Sequence, residues 1–449
     1  MRRSTTVKSP NLCRRYILHP NLNRLSYCHH FTSVDISMFI YSIKGDLKTI
    51  SRRWLHLKSF DSRAISVTGL NSAPEVSFRN LFLRDACSCT ESVDISTQQK
   101  TFSTGHIAGD IAAARVEVVN EGVVEPTLKV EWNDGHSSSF PKSFLERYAT
   151  YENARGYRKV GNSSWHRWTN GSSIFECLPT VKYDDYMGSS SIFGKAVKTL
   201  HHDGIIIVEN IPKSETNEVM VETIAKRIGY IKNTFYGPSW DVVSVPSAKN
   251  VAYTSVYLPL HMDLLYYESP PGVQLLHVLH NSTHGGESVF ADSYAAAMHI
   301  KETCIEAYDA LTKVPITYHY VNDNYHYYFQ RPLIEEDHNS TLDDLGRYEI
   351  KAINYSPPFQ GPLETLATIG NSVDSKTVGY FRKGLAMFES YVENPHNQVE
   401  LRLAEDSCVV FMNRRILHGR RAFNQASGKR HFKGTYLDTD ALYSKLRTV

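Results

Sequence analysis

A chain of 449 residues, 41% hydrophobic and 21% charged, is long enough for two or three domains with real cores, and its composition excludes a disordered or collagen-like protein. No run of about 18 apolar residues is available to cross a bilayer, and a formal net charge of only +2 excludes a body-wide positive field aimed at nucleic acid. Seven cysteines without a regular paired spacing argue for a reducing compartment rather than a disulfide-stapled fold, so a close cysteine pair is read first as metal chemistry.

The charge is unevenly placed. Arg2, Arg3, Lys8, Arg14, Arg15 and Arg24 precede the first acid, Asp35, and without them the chain is net negative. An Arg-rich, Ser-rich, acid-free start reads as a mitochondrial presequence, and residues 1–60 are assigned to that presequence and a linker; a basic tail on a cytoplasmic protein is the alternative. Residues 61–150 read as a small β-rich domain. Leu128–Trp132 is strand-like, Asn133-Asp134-Gly135 is a turn, and the polar run Ser137-Ser138-Ser139 gives way to a short helix near Lys142–Arg147. Glycine, asparagine and serine between 151 and 185 suit an interdomain connection.

Residues 186–449 carry the main domain. Helical periodicity over Tyr183–His201 leads into Gly204–Val208, a short apolar run bounded by Asp203 and Glu209 that reads as a buried strand. Further strands are expected at Val251–Tyr257, Val273–Leu279, Ser288–Phe290, Val314–Tyr320, Cys408–Met412 and His431–Tyr436, with helices near 293–312 and 374–393. Many short strands with helices outside them suggest a sandwich or barrel.

The sharpest local feature is His261-Met262-Asp263, because the period of two along a strand puts His261 and Asp263 on one face. Such a triplet is common by itself. His418, in Phe411–Arg420, would complete a two-histidine, one-carboxylate triad of the kind that leaves positions open on non-haem Fe(II). Two open positions suit 2-oxoglutarate and one suits O2, while Arg430 could pair bidentately with the distal carboxylate. A strand over 430–436 would turn Arg430, Phe432, Gly434 and Tyr436 to one side.

His261-Met262-Asp263, Gly285-Gly286-Glu287-Ser288, His418-Gly419-Arg420 and Arg430–Tyr436, in this order, resemble the Fe(II) and 2-oxoglutarate-dependent gamma-butyrobetaine dioxygenase family, kin of trimethyllysine dioxygenase. The likeness spans roughly residues 75 to 449. It implies a double-stranded β-helix (jelly-roll) catalytic domain behind a small N-terminal domain, with ascorbate as reductant and a homodimer. It also sets Ser288 near the 2-oxoglutarate carboxylate. A trimethylammonium group cannot donate conventional hydrogen bonds and is held by aromatic faces; Tyr236, Trp240 and Tyr253 match the family's substrate segments, with Asn250 beside them and Tyr436 as a further candidate. Leu264 stands where the animal enzymes place a cage tyrosine, and Ser356 where they use asparagine. Cys87, Cys89 and His136 resemble the family's zinc motif, with Ser92 in place of a third cysteine.

Other features have plainer readings. The aromatic run Tyr318–Phe329 is read as strand and loop packed on a core. His201-His202 and His29-His30 lack a third ligand at useful spacing, and Cys177, Cys304 and Cys408 are read as buried, inert thiols. The chain is thus expected to hydroxylate gamma-butyrobetaine to L-carnitine, acting on a small molecule and O2 with neither nucleic acid nor membrane as partner. The rivals are trimethyllysine dioxygenase, an oxygenase of another small acid, and a non-catalytic metal-binding module. A fusion of residues 1–60 to a reporter is expected to enter mitochondria, checked by imaging and by the start of the processed protein; a diffuse cytosolic reporter removes the targeting claim.

Overall fold

The structure is a computed structural model and describes residues 54–158, 165–213, 217–243, 254–368 and 373–449. The chain divides into two units, one ending at Thr150 and one spanning Tyr151–Val449. Most of the basic N-terminus, with His29-His30, lies outside the described residues. The segment assigned to presequence and linker nevertheless extends too far, because His56–Phe60 pairs with Ala64–Thr68 and Leu55 is fully buried.

The first unit holds two three-stranded antiparallel sheets, His56–Phe60/Ala64–Thr68/Glu75–Arg79 and Ala113–Val119/Thr127–Trp132/Ser137–Pro141. Strand Thr127–Trp132 alternates as its sequence requires, with Leu128, Val130 and Trp132 inward. The serine run is itself a strand, contrary to expectation. Its backbone pairs with Thr127–Glu131, and the buried Ser138 hydroxyl accepts the Trp132 indole N–H at 2.9 Å.

Two sheets form the jelly roll of the second unit. The larger has the order Thr180–Lys182, Ile205–Glu209, Cys408–Met412, Val273–Asn281, Arg430–Leu437, Ser239–Val243; the smaller runs Leu258–His261, Ile416–Arg420, Ser288–Asp292, Gln398–Leu401. All neighbours are antiparallel except the first pair of the larger sheet. Phe290, Phe411, Ile416 and Phe432 pack in one core between them, Phe290 and Phe411 edge to face at 5.6 Å. On the other side of the larger sheet, helices Ser190–Asp203 and Asn217–Ile228 cover Val273, Leu275, Val410 and Leu437. Helices Ser293–Thr303, Ile305–Lys313 and Ser375–Val392 enclose a further core with the hairpin Pro315–Asn322/Tyr325–Pro332.

Local chemistry moves several boundaries. The periodic run at Tyr183–His201 is two helices, because Ser189 leaves helical geometry and its hydroxyl caps the Ile192 amide. Cys304, at φ −156°, divides the run at 293–312 in the same way. The strand expected at Val251–Tyr257 is instead Leu258–His261; Val256 and Tyr257 are exposed, whereas Leu258 and Leu260 are buried, and residues 251–253 lie outside the described residues. The stretch 151–185, read as a connection, is built into the second unit: it carries helix Tyr151–Arg158 and buries Trp168, Ile174 and Leu178. Three spaced apolar residues are enough to anchor a chain otherwise rich in glycine and serine.

Arg415 and Asp292 form an ion pair at 3.0 Å with both side chains 1% exposed. Removing one partner strands the other charge in a dry interior, so Arg415→Ala is expected to lower unfolding free energy by about 3–5 kcal/mol. Urea denaturation checks this, and a loss below about 1 kcal/mol would contradict it.

Candidate active site

His261 is the last residue of strand Leu258–His261 and lies directly across the ladder from His418 on strand Ile416–Arg420. Cross-strand pairing therefore sets the two imidazoles beside each other, their centroids 4.2 Å apart and their planes tilted by 38°. His261 Nδ1 donates to the Pro259 carbonyl at 2.8 Å, which leaves the Nε2 lone pair free to coordinate. That nitrogen lies 3.3 Å from one Asp263 oxygen, and His418 Nε2 lies 3.9 Å from the other. Burial, and then the neighbouring His261, push His418 down to about 3, so it is a neutral ligand near neutral pH. Burial alone would raise the Asp263 carboxyl, but the two adjoining imidazoles and the hydrogen bond from Tyr436 hold it below the usual carboxylate range.

Asp263 does not share a strand face with His261, as the sequence suggested. The strand has ended, and Leu264 turns the chain at φ +58°. Tertiary contact positions the carboxylate instead. The fully buried Asn413 accepts the Asp263 amide N–H at 2.9 Å and donates to the carbonyls of Asp263 and Pro271 at 3.0 and 3.1 Å. Asn413 was visible in the sequence only as a neighbour of His418, with no signal of this clamp.

Strand Arg430–Leu437 carries the second half of the site, with Arg430, Phe432, Gly434 and Tyr436 all buried on one side. The Arg430 guanidinium lies over the Phe432 ring at 3.9 Å, and its Nε is buried without a partner. Burial, then the charges of Arg420 and Arg402, push it down to about 9. An unneutralised buried cation of this kind calls for an anion. Gly285 and Gly286 both adopt positive φ, +80° and +79°, and a Cβ on Gly285 would meet the Ala422 carbonyl oxygen at 2.5 Å, which accounts for the glycine pair beside Arg430. Ser288 is buried on strand Ser288–Asp292 of the smaller sheet, opposite Arg420.

Two imidazoles and a carboxylate whose ligand atoms all lie within 4.8 Å fit a ferrous ion in both number and chemistry. The family described as Taurine catabolism dioxygenase TauD, TfdA matches residues 173–436, and the Gamma-butyrobetaine hydroxylase-like N-terminal family matches residues 59–146. This chain belongs to the TauD, TfdA dioxygenase family. Dioxygenase str8 of Strobilurus tenacellus is 35% identical, covering 86% of this chain and 88% of the relative. AIM17 of Saccharomyces cerevisiae is 32% identical with the same coverage. Gamma-butyrobetaine dioxygenase of a Pseudomonas species is 30% identical over 82% of this chain and 89% of its own length. The protein is an oxygenase of an iron- and 2-oxoglutarate-using family, acting with O2 on a small molecule.

An aromatic wall adjoins the ligand cluster of this oxygenase. Tyr436 donates its hydroxyl to Asp263 Oδ2 at 2.6 Å and stacks on Trp240 at 4.0 Å. Gly434 makes room, since a Cβ there would meet the Trp240 ring at 2.5 Å. Rings this close cannot sandwich a cation, so Trp240 and Tyr436 form one wall and not two opposed ones. Tyr236 sits 6.1 Å from Trp240 and packs on Phe235. Asn250 and Tyr253 lie outside the described residues. Beyond Tyr236, the buried Tyr266 and Tyr320 with Tyr325 and Tyr327 surround Phe235, so part of the run read as core packing backs the site. Ser356 is buried with an unpartnered hydroxyl beside Tyr355, whose carbonyl accepts the Met262 amide.

Elsewhere, Cys87, Cys89 and His136 converge, each sulfur 3.3 Å from His136 Nε2, and the buried Ser92 hydroxyl also reaches that nitrogen at 3.3 Å. Cys304 and Cys408 are buried as expected, but Cys177 is exposed. His202 does have partners, supplied by tertiary contact with His166 and by Asp203.

Asn413→Ala leaves the Asp263 amide and two carbonyls without their partner. It is expected to cost about 1–3 kcal/mol of stability and to weaken Fe(II) binding about 10- to 100-fold, measured by thermal melts and metal titration; unchanged Fe(II) affinity would remove the clamp's role.

Proposed function

We propose that His261, Asp263 and His418 hold Fe(II), that Arg430, with Ser288 nearby, receives the distal carboxylate of 2-oxoglutarate, and that the oxygenase converts gamma-butyrobetaine to L-carnitine. When bound, iron with 2-oxoglutarate and O2 supplies the oxidising power: 2-oxoglutarate is decarboxylated to succinate and CO2 while one substrate C–H becomes C–OH. The chain's own residues supply orientation. Asn413 holds the Asp263 backbone, Pro259 fixes the His261 tautomer, and Phe432 supports the Arg430 guanidinium from below. The observation that carries the substrate reading is the aromatic wall joined to the ligand set through the 2.6 Å bond from Tyr436 to Asp263, which suits a quaternary ammonium head held near the metal.

A second reading, an oxygenase of another small acid, including trimethyllysine, is favoured by the buried Leu264 at the cage position and by the single stacked wall. Ascorbate as reductant, a homodimer and zinc at Cys87, Cys89 and His136 belong to the same proposal by family resemblance, and mitochondrial residence belongs to it from the Arg-rich, acid-free N-terminus. Ser92 supplies only a hydroxyl at the fourth corner of that cluster, a poor zinc ligand.

Purified protein with Fe(II) is expected to consume 2-oxoglutarate faster with gamma-butyrobetaine than with its neutral carbon isostere, by roughly 0.5–2 kcal/mol per well-placed ring. Trp240→Leu should narrow that gap. Asp263→Ala should abolish turnover, and Arg430→Lys should weaken apparent 2-oxoglutarate affinity by about 1.5–3 kcal/mol. Equal turnover of betaine and isostere would leave an oxygenase of another small acid; turnover by Asp263→Ala would refute the iron assignment.

A further inference from the structure

A second cluster of two histidines and one carboxylate lies outside the active site. Asp203 Oδ1 lies 2.9 Å from His166 Nδ1 and 2.8 Å from His202 Nδ1, so both imidazoles point the same ring nitrogen at one carboxylate oxygen. Their rings are nearly parallel, 17° apart in plane and 5.5 Å between centroids. The side chains are 33%, 50% and 17% exposed for His166, His202 and Asp203, so an ion can enter from solvent.

What sets this group apart from a casual surface contact is its support. The His166 amide donates to the His202 carbonyl at 2.8 Å. Arg415, locked in its buried pair with Asp292, donates to the carbonyls of both His166 and His202. The Trp168 indole donates to the Asp203 carbonyl at 2.9 Å. Arg415 thus fixes the main chain of both histidines and Trp168 that of Asp203, which is the preorganisation that outer contacts give a metal site. His202 and Asp203 also close helix Ser190–Asp203, whose C-terminal end carries the negative pole of the helix dipole and favours a cation.

We propose that His166, His202 and Asp203 bind a borderline divalent cation such as Zn2+, independently of the iron ligands. Imidazole nitrogen with one carboxylate suits Zn2+ better than Mg2+ or Ca2+. Ligand atoms about 2.0–2.1 Å from a tetrahedral ion lie roughly 3.3 Å apart, so each imidazole nitrogen needs to draw back from the Asp203 oxygen by only about half an ångström. Bound there, the ion would join the chain around His166 to the end of helix Ser190–Asp203.

The test counts zinc at saturation by equilibrium dialysis and elemental analysis in the full-length wild type, His166→Ala, His202→Gln and Asp203→Asn. The other zinc-binding groups are common to all four proteins, so only the difference matters. Each variant is expected to hold one equivalent fewer per chain, with its Fe(II)-dependent consumption of 2-oxoglutarate in zinc-free buffer within twofold of wild type. Equal zinc counts in all four proteins would overturn the proposal. If His166→Ala fails to fold, the two volume-conserving variants decide between these outcomes.

Discussion

The turn Asn413–Arg415, which carries the chain from strand Cys408–Met412 to strand Ile416–Arg420, is the constraint on which the rest of the catalytic domain depends. Its three side chains face three different parts of the molecule. Asn413 clamps the backbone at Asp263, Arg414 reaches Asn354 and Glu335, and Arg415 pairs with Asp292 while holding the carbonyls around His166 and His202. One short turn thus ties a candidate iron ligand, a helix N-cap and a peripheral histidine cluster to the strand that delivers His418. A buried pair such as Arg415 and Asp292 contributes little net stability compared with an apolar substitute, but it fixes geometry because either charge alone would be costly.

The same economy governs strand Arg430–Leu437. Its period-two face presents, in order, a cation, an aromatic, a glycine and a tyrosine, and each is used: Phe432 under the Arg430 guanidinium, Gly434 under Trp240, and Tyr436 on Asp263. The glycine is required by close approach of a ring and not by a turn. A methyl group there would displace Trp240, and with it the wall beside the metal ligands. The buried arginine faces no carboxylate among the described residues close enough for an ion pair, which is the feature that supports its proposed role as an anchor for an anionic co-substrate.

Short apolar runs located Ile205–Glu209, Val273–Asn281, Ser288–Asp292, Pro315–Asn322, Cys408–Met412 and Arg430–Leu437 in the second unit but only Thr127–Trp132 in the first, because a buried strand imposes its spacing on the residues directly and a short, half-exposed one does not. Helix interiors were equally legible, but not the breaks at Ser189 and Cys304, where one residue leaves helical geometry while the apolar spacing runs on. The stretch 151–185 misled for the opposite reason, its glycines and serines outnumbering the few apolar residues that bury it.

The proposed ligand set was legible in the chain: His261, Asp263, His418 and Arg430 could be singled out from residue chemistry and order, whereas Gly285-Gly286 and the aromatics of 235–240 stood out only through resemblance to a family. How these residues meet was decided only by the tertiary structure. The paired histidines follow from register between strands more than 150 positions apart in sequence, and Asp263 is held by Asn413, which no local pattern distinguishes. Likewise His166 meets His202 and Asp203 through tertiary contact, with Arg415 holding the carbonyls of both histidines from across the fold. A sequence specifies which donors and acceptors exist; long-range register and buried hydrogen bonds specify which of them converge on one point.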